Sequence, residues 1–293
     1  MNPKITIGIC TYNRAQSLKR LLDSVTKLTY KNFDVIVVDN NSTDNTAEIA
    51  KKYKNIKYIF EKQQGIAFAR NAVLQNCADD LKYLAFLDDD ESVDPDWLNR
   101  LLDIFVNAPK NVYVVGGRCI PVYFEKAPPA WMPDGVHNHH EFDLRCNAYV
   151  KESIIVSGNA MIDFQRVLQK NLIFDTRLGR KGATLLGGEE LDFFSKLTEP
   201  DGLYGYDYRA YIKHYIPESK LKLSWFIRWA FYEGVTEYYR EGNIAIVKYV
   251  HKVFVHSIRF TLSIFSFNKK YICERWLKLI KTCGVMSGLF KGR

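Results

Sequence analysis

No apolar run in this chain approaches the ~20 residues that a helix needs to cross a bilayer, so a membrane-spanning role is not expected. There is no C-x-x-C pair either: the six cysteines, Cys10, Cys77, Cys119, Cys146, Cys273 and Cys283, are scattered. That argues against a zinc ribbon or a dithiol redox site and for free thiols in a reducing cytoplasm. Internal repeats and low-complexity tracts are missing, which sets solenoids and disordered scaffolds aside. So are the glycine fingerprint of dinucleotide-binding folds and the Walker loop of P-loop NTPases. With the first strand expected from Lys4, after only Met1-Asn2-Pro3, a signal peptide has no length to occupy and the expected location is cytoplasmic.

What is present is an ordered globular composition: 293 residues, 47% hydrophobic and 14% aromatic, enough to bury a large core. The net charge of +8 is unevenly placed. Acids cluster in the first half, whereas Lys and Arg accumulate after Arg209 among Trp, Tyr and Phe. That pattern favours a basic, membrane-facing annex over a DNA or RNA groove, so no nucleic-acid partner is expected.

Lys4 to Cys10 alternates like a strand, and Leu18, Leu21, Leu22, Val25 and Leu28 then recur at helical spacing. Phe33 to Val38 is a β-branched run of the kind buried on both faces of a parallel sheet, and Ala47 to Tyr53 reads as a helix. Ile56 to Phe60 and Gly65 to Cys77 repeat the pattern. Tyr83 to Leu87 is a strand followed by Asp94-Pro95, a helix cap with Pro at the first helical position. These units predict an α/β fold with a mostly parallel sheet flanked by helices. In such sheets ligands bind beyond the carboxyl ends of the strands. Thr11-Tyr12-Asn13, Asp39-Asn40-Asn41 and Asp88-Asp89-Asp90 would converge there.

After a strand from Val112 to Ile120, Glu125 to Arg145 reads as a long loop. Its His137, His139, His140 and Glu141 match no standard zinc spacing. Ile154 to Ile162 is expected as a strand containing Gly158. Gly187-Gly188 then opens a helix whose first turn carries Glu189, Glu190 and Asp192, where the helix dipole favours acids. Tyr204 to Tyr215 is an aromatic strand, and from Leu221 onward the chain reads as helical. Ile244 to Phe265 mixes Val, Ile and Phe with Lys248, His251, Lys252, His256 and Arg259. This suits either an amphipathic helix on anionic lipid or a helix packed on the catalytic domain with a solvated basic face.

Asp88 to Asp90 at the end of an apolar strand cannot be buried unpaired. Such a cluster binds a cation, caps a helix, or both. Asp39 alone could be a helix cap, and Glu189, Glu190 and Asp192 alone could be surface acids.

Five segments in order resemble the inverting glycosyltransferase family 2: Ile7 to Arg14, Val37 to Thr46, Gly65 to Asn71, Phe86 to Asp90 and Gly187 to Asp192. The resemblance covers about residues 4 to 215. It implies a GT-A domain over 1–215 and leaves 216–293 as a basic, aromatic helical region. The implied activity is inverting, metal-dependent transfer of a hexosyl or N-acetylhexosaminyl group from a nucleotide-sugar, most often a UDP-sugar. The acceptor would be the hydroxyl of a glycan or lipid-linked sugar, in polysaccharide or glycoconjugate assembly, with peripheral contact at the inner face of an anionic membrane.

By the same resemblance Thr11, Tyr12, Asp39, Arg70 and Asp88 bind the nucleotide, and Asp90 binds Mn²⁺ or Mg²⁺. Asp89 is the variable middle position and is expected to point elsewhere. His214 is open between metal ligand and packed core residue. The family's base falls on Glu190, with Glu189 and Asp192 as alternatives, because Glu189-Glu190 stands where Glu-Asp is commoner. Arg228-Trp229 resembles the end of the Gln-x-x-Arg-Trp motif of processive synthases. Trp225 occupies the glutamine position, which argues against processivity. A non-catalytic nucleotide-sugar-binding scaffold is the competing reading.

Overall fold

The first third of the chain alternates strand and helix: β1 (Ile5–Thr11), α1 (Ala15–Val25), β2 (Phe33–Asp39), α2 (Thr46–Lys51), β3 (Ile56–Phe60), α3 (Ile66–Gln75) and β4 (Tyr83–Asp88). The computed structural model describes residues 3–124, 126–133, 148–151, 155 and 157–290. Strands β3-β2-β1-β4 lie side by side and parallel, with Thr11 level with Asp39 and Cys10 level with Asp88. Every residue of β1 is buried, because alternate side chains serve two cores. Ile5, Ile7 and Ile9 pack with Leu18, Leu21 and Leu22 of α1. On the opposite face Cys10, Ile36, Val38 and Phe86 join Ala69 and Val73 of α3.

The rest of the sheet is built differently. It takes β5 (Glu91–Val93), β6 (Val112–Tyr123), β7 (Ala148–Val150), β8 (Ala160–Asp163) and β9 (Leu203–Ile216), interleaved with α4 (Trp97–Asn107), α5 (Phe164–Lys170) and α6 (Glu189–Thr198). The order runs β3-β2-β1-β4-β8-β6-β9-β5, with β7 also paired to β9. The β4–β8, β6–β8, β5–β9 and β7–β9 pairs are antiparallel. The parallel pairs β1–β2, β1–β4 and β2–β3 all lie among the first four strands.

Two expected boundaries move. Asp94 does not cap α4: its Oδ1 accepts the Asp96 N–H at 3.0 Å and its carbonyl accepts from Trp97, where the helix begins. This side-chain turn competes with helix start two residues earlier. The strand expected over Ile154 to Ile162 is instead a 3-10 turn at Ser157–Asn159 followed by β8. Asn159 in that turn accepts from the Trp97 indole at 2.7 Å and donates to the Arg118 and Ala210 carbonyls. A fully buried amide is thereby satisfied.

The described residues of Met1–Val122, Asn138–Asp175 and Glu190–Tyr215 form one compact unit, and those of Tyr123–His137, Thr176–Glu189 and Ile216–Arg293 a second. The second contains α7 (Leu223–Glu241), α8 (Asn243–Ile264) and α9 (Lys269–Met286). Its core gathers Met132, Ile216, Leu221, Phe226, Cys273 and Leu277. Helices α7 and α9 meet backbone to backbone. A Cβ on Gly234 would lie 1.9 Å from the Lys281 carbonyl oxygen, and one on Gly284 2.0 Å from that of Phe231, so only glycine fits at either position. No helix among the described residues is long and apolar enough to cross a membrane. The five described cysteines are thiols outside any disulfide; Cys146 lies outside the described residues.

Candidate active site

The carboxyl ends of β1, β2 and β4 meet at one edge of the first unit, as parallel strands of matched register must. Thr11 ends β1, and its buried hydroxyl donates to Asp89 at 2.8 Å. In the next turn Asn13 and Asn41 adopt left-handed backbone, φ 50° and 69°, which asparagine tolerates. Asn13 Oδ1 accepts the Thr43 N–H at 2.7 Å, and its own N–H donates to Ser42 Oγ at 2.9 Å. The loops after β1 and β2 are thereby tied together. Tyr12 between them is exposed.

Asp39 is buried at the end of β2. Its Oδ1 accepts the Ser42 N–H at 2.8 Å and its Oδ2 the Tyr58 hydroxyl at 2.8 Å. Asn40 beside it accepts the Gly65 N–H at 2.7 Å, fixing the start of α3. The partners Tyr58 and Asn40 were not singled out by pattern, because a strand tyrosine and a turn asparagine look alike whether or not they brace a carboxylate.

After β4 the three acids part company. Asp88 Oδ1 lies 3.3 Å from the Arg70 guanidinium. Asp90 Oδ2 accepts from Arg14 at 2.9 Å and lies 3.6 Å from His214 Nε2. Asp89 accepts from the Thr11 hydroxyl and shares Arg14 Nη1 with Asp90, at 2.8 Å. The middle acid, expected to point elsewhere, is a buried anchor on the same guanidinium as Asp90: burial pushes its carboxyl up to about 6 against the pull of Arg14. Asp89 in the first place, and Asp90, hold the Arg14 guanidinium above its ordinary value. The signal for Arg14 was a cation in the first loop of a chain whose fourth strand ends in three acids.

A fourth acid, Glu91, is fully enclosed and escaped pattern reading. Its carboxylate accepts the Asp88 N–H at 3.0 Å, and burial, helped by the charges of Asp88 and Asp90, raises it well above the usual range. Gly158 makes room for it: a Cβ there would lie 2.0 Å from Glu91 Oε1. Glu91 is also level with His214 in the β5–β9 ladder. The Tyr215 N–H donates to the Asp90 carbonyl at 2.9 Å, so backbone pairing brings His214 to Asp90.

Glu190, in the first turn of α6, reaches the same place from the other side, its Oε2 3.5 Å from Arg70. Arg70 is almost fully buried and lies over the Phe174 ring, 5.7 Å from its centroid. One guanidinium therefore faces two carboxylates, Asp88 and Glu190, separated by about a hundred residues in sequence. Asp192 instead pairs with Lys196 at 2.6 Å along α6. Glu189 is buried and falls in the second unit. The His137, His139, His140 and Glu141 group lies outside the described residues.

The donor set fits a hard divalent cation. A carboxylate and an imidazole face each other at Asp90 and His214, and among the described residues no cluster of three or more His, Cys, Asp or Glu could hold a metal by itself. Mg²⁺ and Mn²⁺ favour oxygen donors, commonly one or two carboxylates completed by substrate phosphate and water, and Asp90 supplies such a carboxylate.

A family model described as Glycosyl transferase family 2 matches residues 6–168. Among curated proteins, the succinoglycan biosynthesis protein ExoM of Rhizobium meliloti is 27% identical over 79% of this chain and 73% of its own. The glucosyl-dolichyl phosphate glucuronosyltransferase of Haloferax volcanii is 24% identical over 80% of this chain and 76% of its own. Among solved structures, the Pyrobaculum calidifontis mannosyltransferase PcManGT, in complex with GDP-Man and Mn²⁺, aligns with a TM-score of 0.69 at 16% identity over 100% of this chain and 89% of that one. Residues 1–349 of S. aureus TarS in complex with UDP align at 0.54 and 14% identity, over 99% and 92%. At these identities the structural likeness speaks to the fold, a GT-A arrangement of mixed sheet and flanking helices with helices at the C-terminal end.

Proposed function

The chain belongs to glycosyl transferase family 2, and we propose that it moves a hexosyl or N-acetylhexosaminyl group from a nucleotide-sugar, a UDP-sugar first among candidates, to an acceptor hydroxyl with inversion. The acceptor is a glycan or lipid-linked sugar of a surface polysaccharide or glycoconjugate, which brings the enzyme to the inner face of a membrane. The observation that carries this reading is the convergence of Asp88, Glu190 and Arg70, beside Asp90 and His214, at the carboxyl edge of the parallel strands.

Thr11, Tyr12, Asp39, Arg70 and Asp88 form the nucleotide end. Asp39 spends one lone pair on each oxygen in its bonds to Ser42 and Tyr58. A carboxylate has about four such sites, which leaves acceptors for a base or ribose N–H or O–H. Asp90 and His214 would hold Mn²⁺ or Mg²⁺. When bound, such a cation neutralises charge on the departing diphosphate. Glu190 takes the proton from the acceptor hydroxyl as that oxygen bonds to the anomeric carbon and the bond to the diphosphate breaks on the opposite face, which inverts the configuration. Arg70, held between Asp88 and Glu190, fixes the distance from nucleoside to base.

The test is Glu190→Gln. Donor affinity by calorimetry should stay within a few-fold of the parent while transfer, followed by mass spectrometry of the acceptor, falls by about 10²–10⁴-fold. Undiminished transfer would move the base to Asp192 or Glu189.

A further inference from the structure

Helix α8 presents two unlike faces. Ala245, Ile246, Tyr249 and Ser263 are buried, and within the helical unit Tyr249 donates to Glu237 and His256 is hydrogen-bonded to Thr282. Another arc carries Ile244, Val247, Val250, Phe254, Ile258 and Leu262, all exposed, Phe254 to 72%. Their spacing of three and four residues aligns them in one stripe. The 22-residue helix is about 33 Å long at 1.5 Å per residue, and the stripe follows it from end to end. Phe265 and Phe267 prolong it past the helix end, Phe267 at 88% exposure. Single exposed apolar residues are ordinary, but a continuous ridge marks an interaction surface.

The charge beside the ridge names the partner. From Glu241 to Glu274 no acidic residue intervenes, while Lys248, Lys252, Arg259, Lys269 and Lys270 do. At 100° per residue, Lys248, Lys252 and Arg259 fall along one edge of the stripe, between it and the buried face. We propose that α8 is the surface by which this protein lies on an anionic lipid bilayer. The ridge enters the boundary between headgroups and acyl chains, and the Lys/Arg edge meets lipid phosphates. An apolar stripe bordered by cations is the pattern of helices that rest in that boundary rather than cross it. A second copy of the chain fits less well. A twofold contact through this face would set one basic edge near another; Lys248 on that edge pairs with Glu241 of α7 within the same chain, and α8 itself carries no acid for a second copy.

The inference rests on the lipid-linked acceptor reading only for its purpose, since vesicle binding is measured without donor or turnover. The full chain is floated with vesicles of phosphatidylcholine alone or with about a third phosphatidylglycerol, at about 0.15 M salt. It should float with the anionic vesicles and at least about tenfold less with the neutral ones. Phe254→Glu with Leu262→Glu, and separately Arg259→Glu with Lys269→Glu, should each lower anionic partitioning at least about tenfold. All four positions are exposed, and unchanged circular dichroism shows that the fold is kept. Failure of the parent to float with anionic vesicles, or flotation of both double variants like the parent, overturns the proposal. So does a dimer in light scattering that Phe254→Glu with Leu262→Glu converts to monomer while the parent ignores vesicles, which would assign the ridge to a second copy.

Discussion

Glu91 is the residue on which the acidic turn depends. Its carboxylate holds the Asp88 amide, and its room is the missing side chain of Gly158. A methyl group there would drive Glu91 aside and release that amide, so Gly158→Ala should cost about 1–3 kcal/mol of unfolding free energy, the usual range for overpacking. It should also weaken donor binding, because Asp88 and Asp90 flank the freed turn. Denaturant melts and calorimetry on the variant measure both; parent-like values would mean that the carboxylate relocates without effect. Single residues were unevenly legible. The order Asp88, Asp90, Glu190 was readable because acids at the ends of apolar strands and in the first turn of a helix break a local pattern. Glu91 and Asp89 were not, because their partners Gly158 and Arg14 are 67 and 75 residues away, and nothing local marks a carboxylate for burial.

Among the elements, α7, α8 and α9 are linked by a polar contact centred on Glu237. Glu237 on α7 receives Lys281 of α9 at 3.0 Å and the Tyr249 hydroxyl of α8 at 2.9 Å. Burial alone would raise its carboxyl, and Lys281 with Tyr249 more than offsets this, leaving it below the ordinary value. A carboxyl lowered on folding stabilises the protein above its unfolded pKa, and that contribution is lost as pH falls through the folded value. Glu237→Gln should therefore destabilise by about 1 kcal/mol at pH 7, allowing for partial exposure of Lys281. The deficit should shrink below about pH 4. Paired urea melts at both pH values give the answer; a pH-independent deficit would mean packing rather than charge. Helicity from Leu221 onward was plain in the sequence, and the breaks at Gly242 and around Phe267 follow from positive φ at both. The backbone crossing at Gly234 and Gly284 was not readable, since each glycine acquires its meaning only from the other helix.

For the molecule as a whole, ligand binding should register as stability. A nucleotide-sugar at about a hundred times its dissociation constant adds about 2.7 kcal/mol to unfolding, so a thermal-shift screen of UDP-, GDP- and dTDP-sugars with Mn²⁺ should single out the donor. Asp90→Ala should erase the Mn²⁺-dependent part of that shift; a shift of full size in the variant would remove Asp90 from the metal site. The parallel half of the sheet was legible because its strands are short apolar runs, β1 and β2 rich in buried β-branched residues, that alternate with stretches of helical spacing. In the antiparallel half the long strands β6 and β9 were legible, but β5 has three residues and β8 four, too short for a period to show, and their places are set by pairing with β9 and β4.

The glycine crossing of α7 and α9 bears on the helix beside it. Two backbones that touch leave no side chain to rearrange, and α8 is tied to both helices through Tyr249 and His256. Its apolar ridge is therefore carried like a keel, already formed before it meets any surface, and a bilayer that received it would pay little of the ordering entropy that a segment folding on contact must lose.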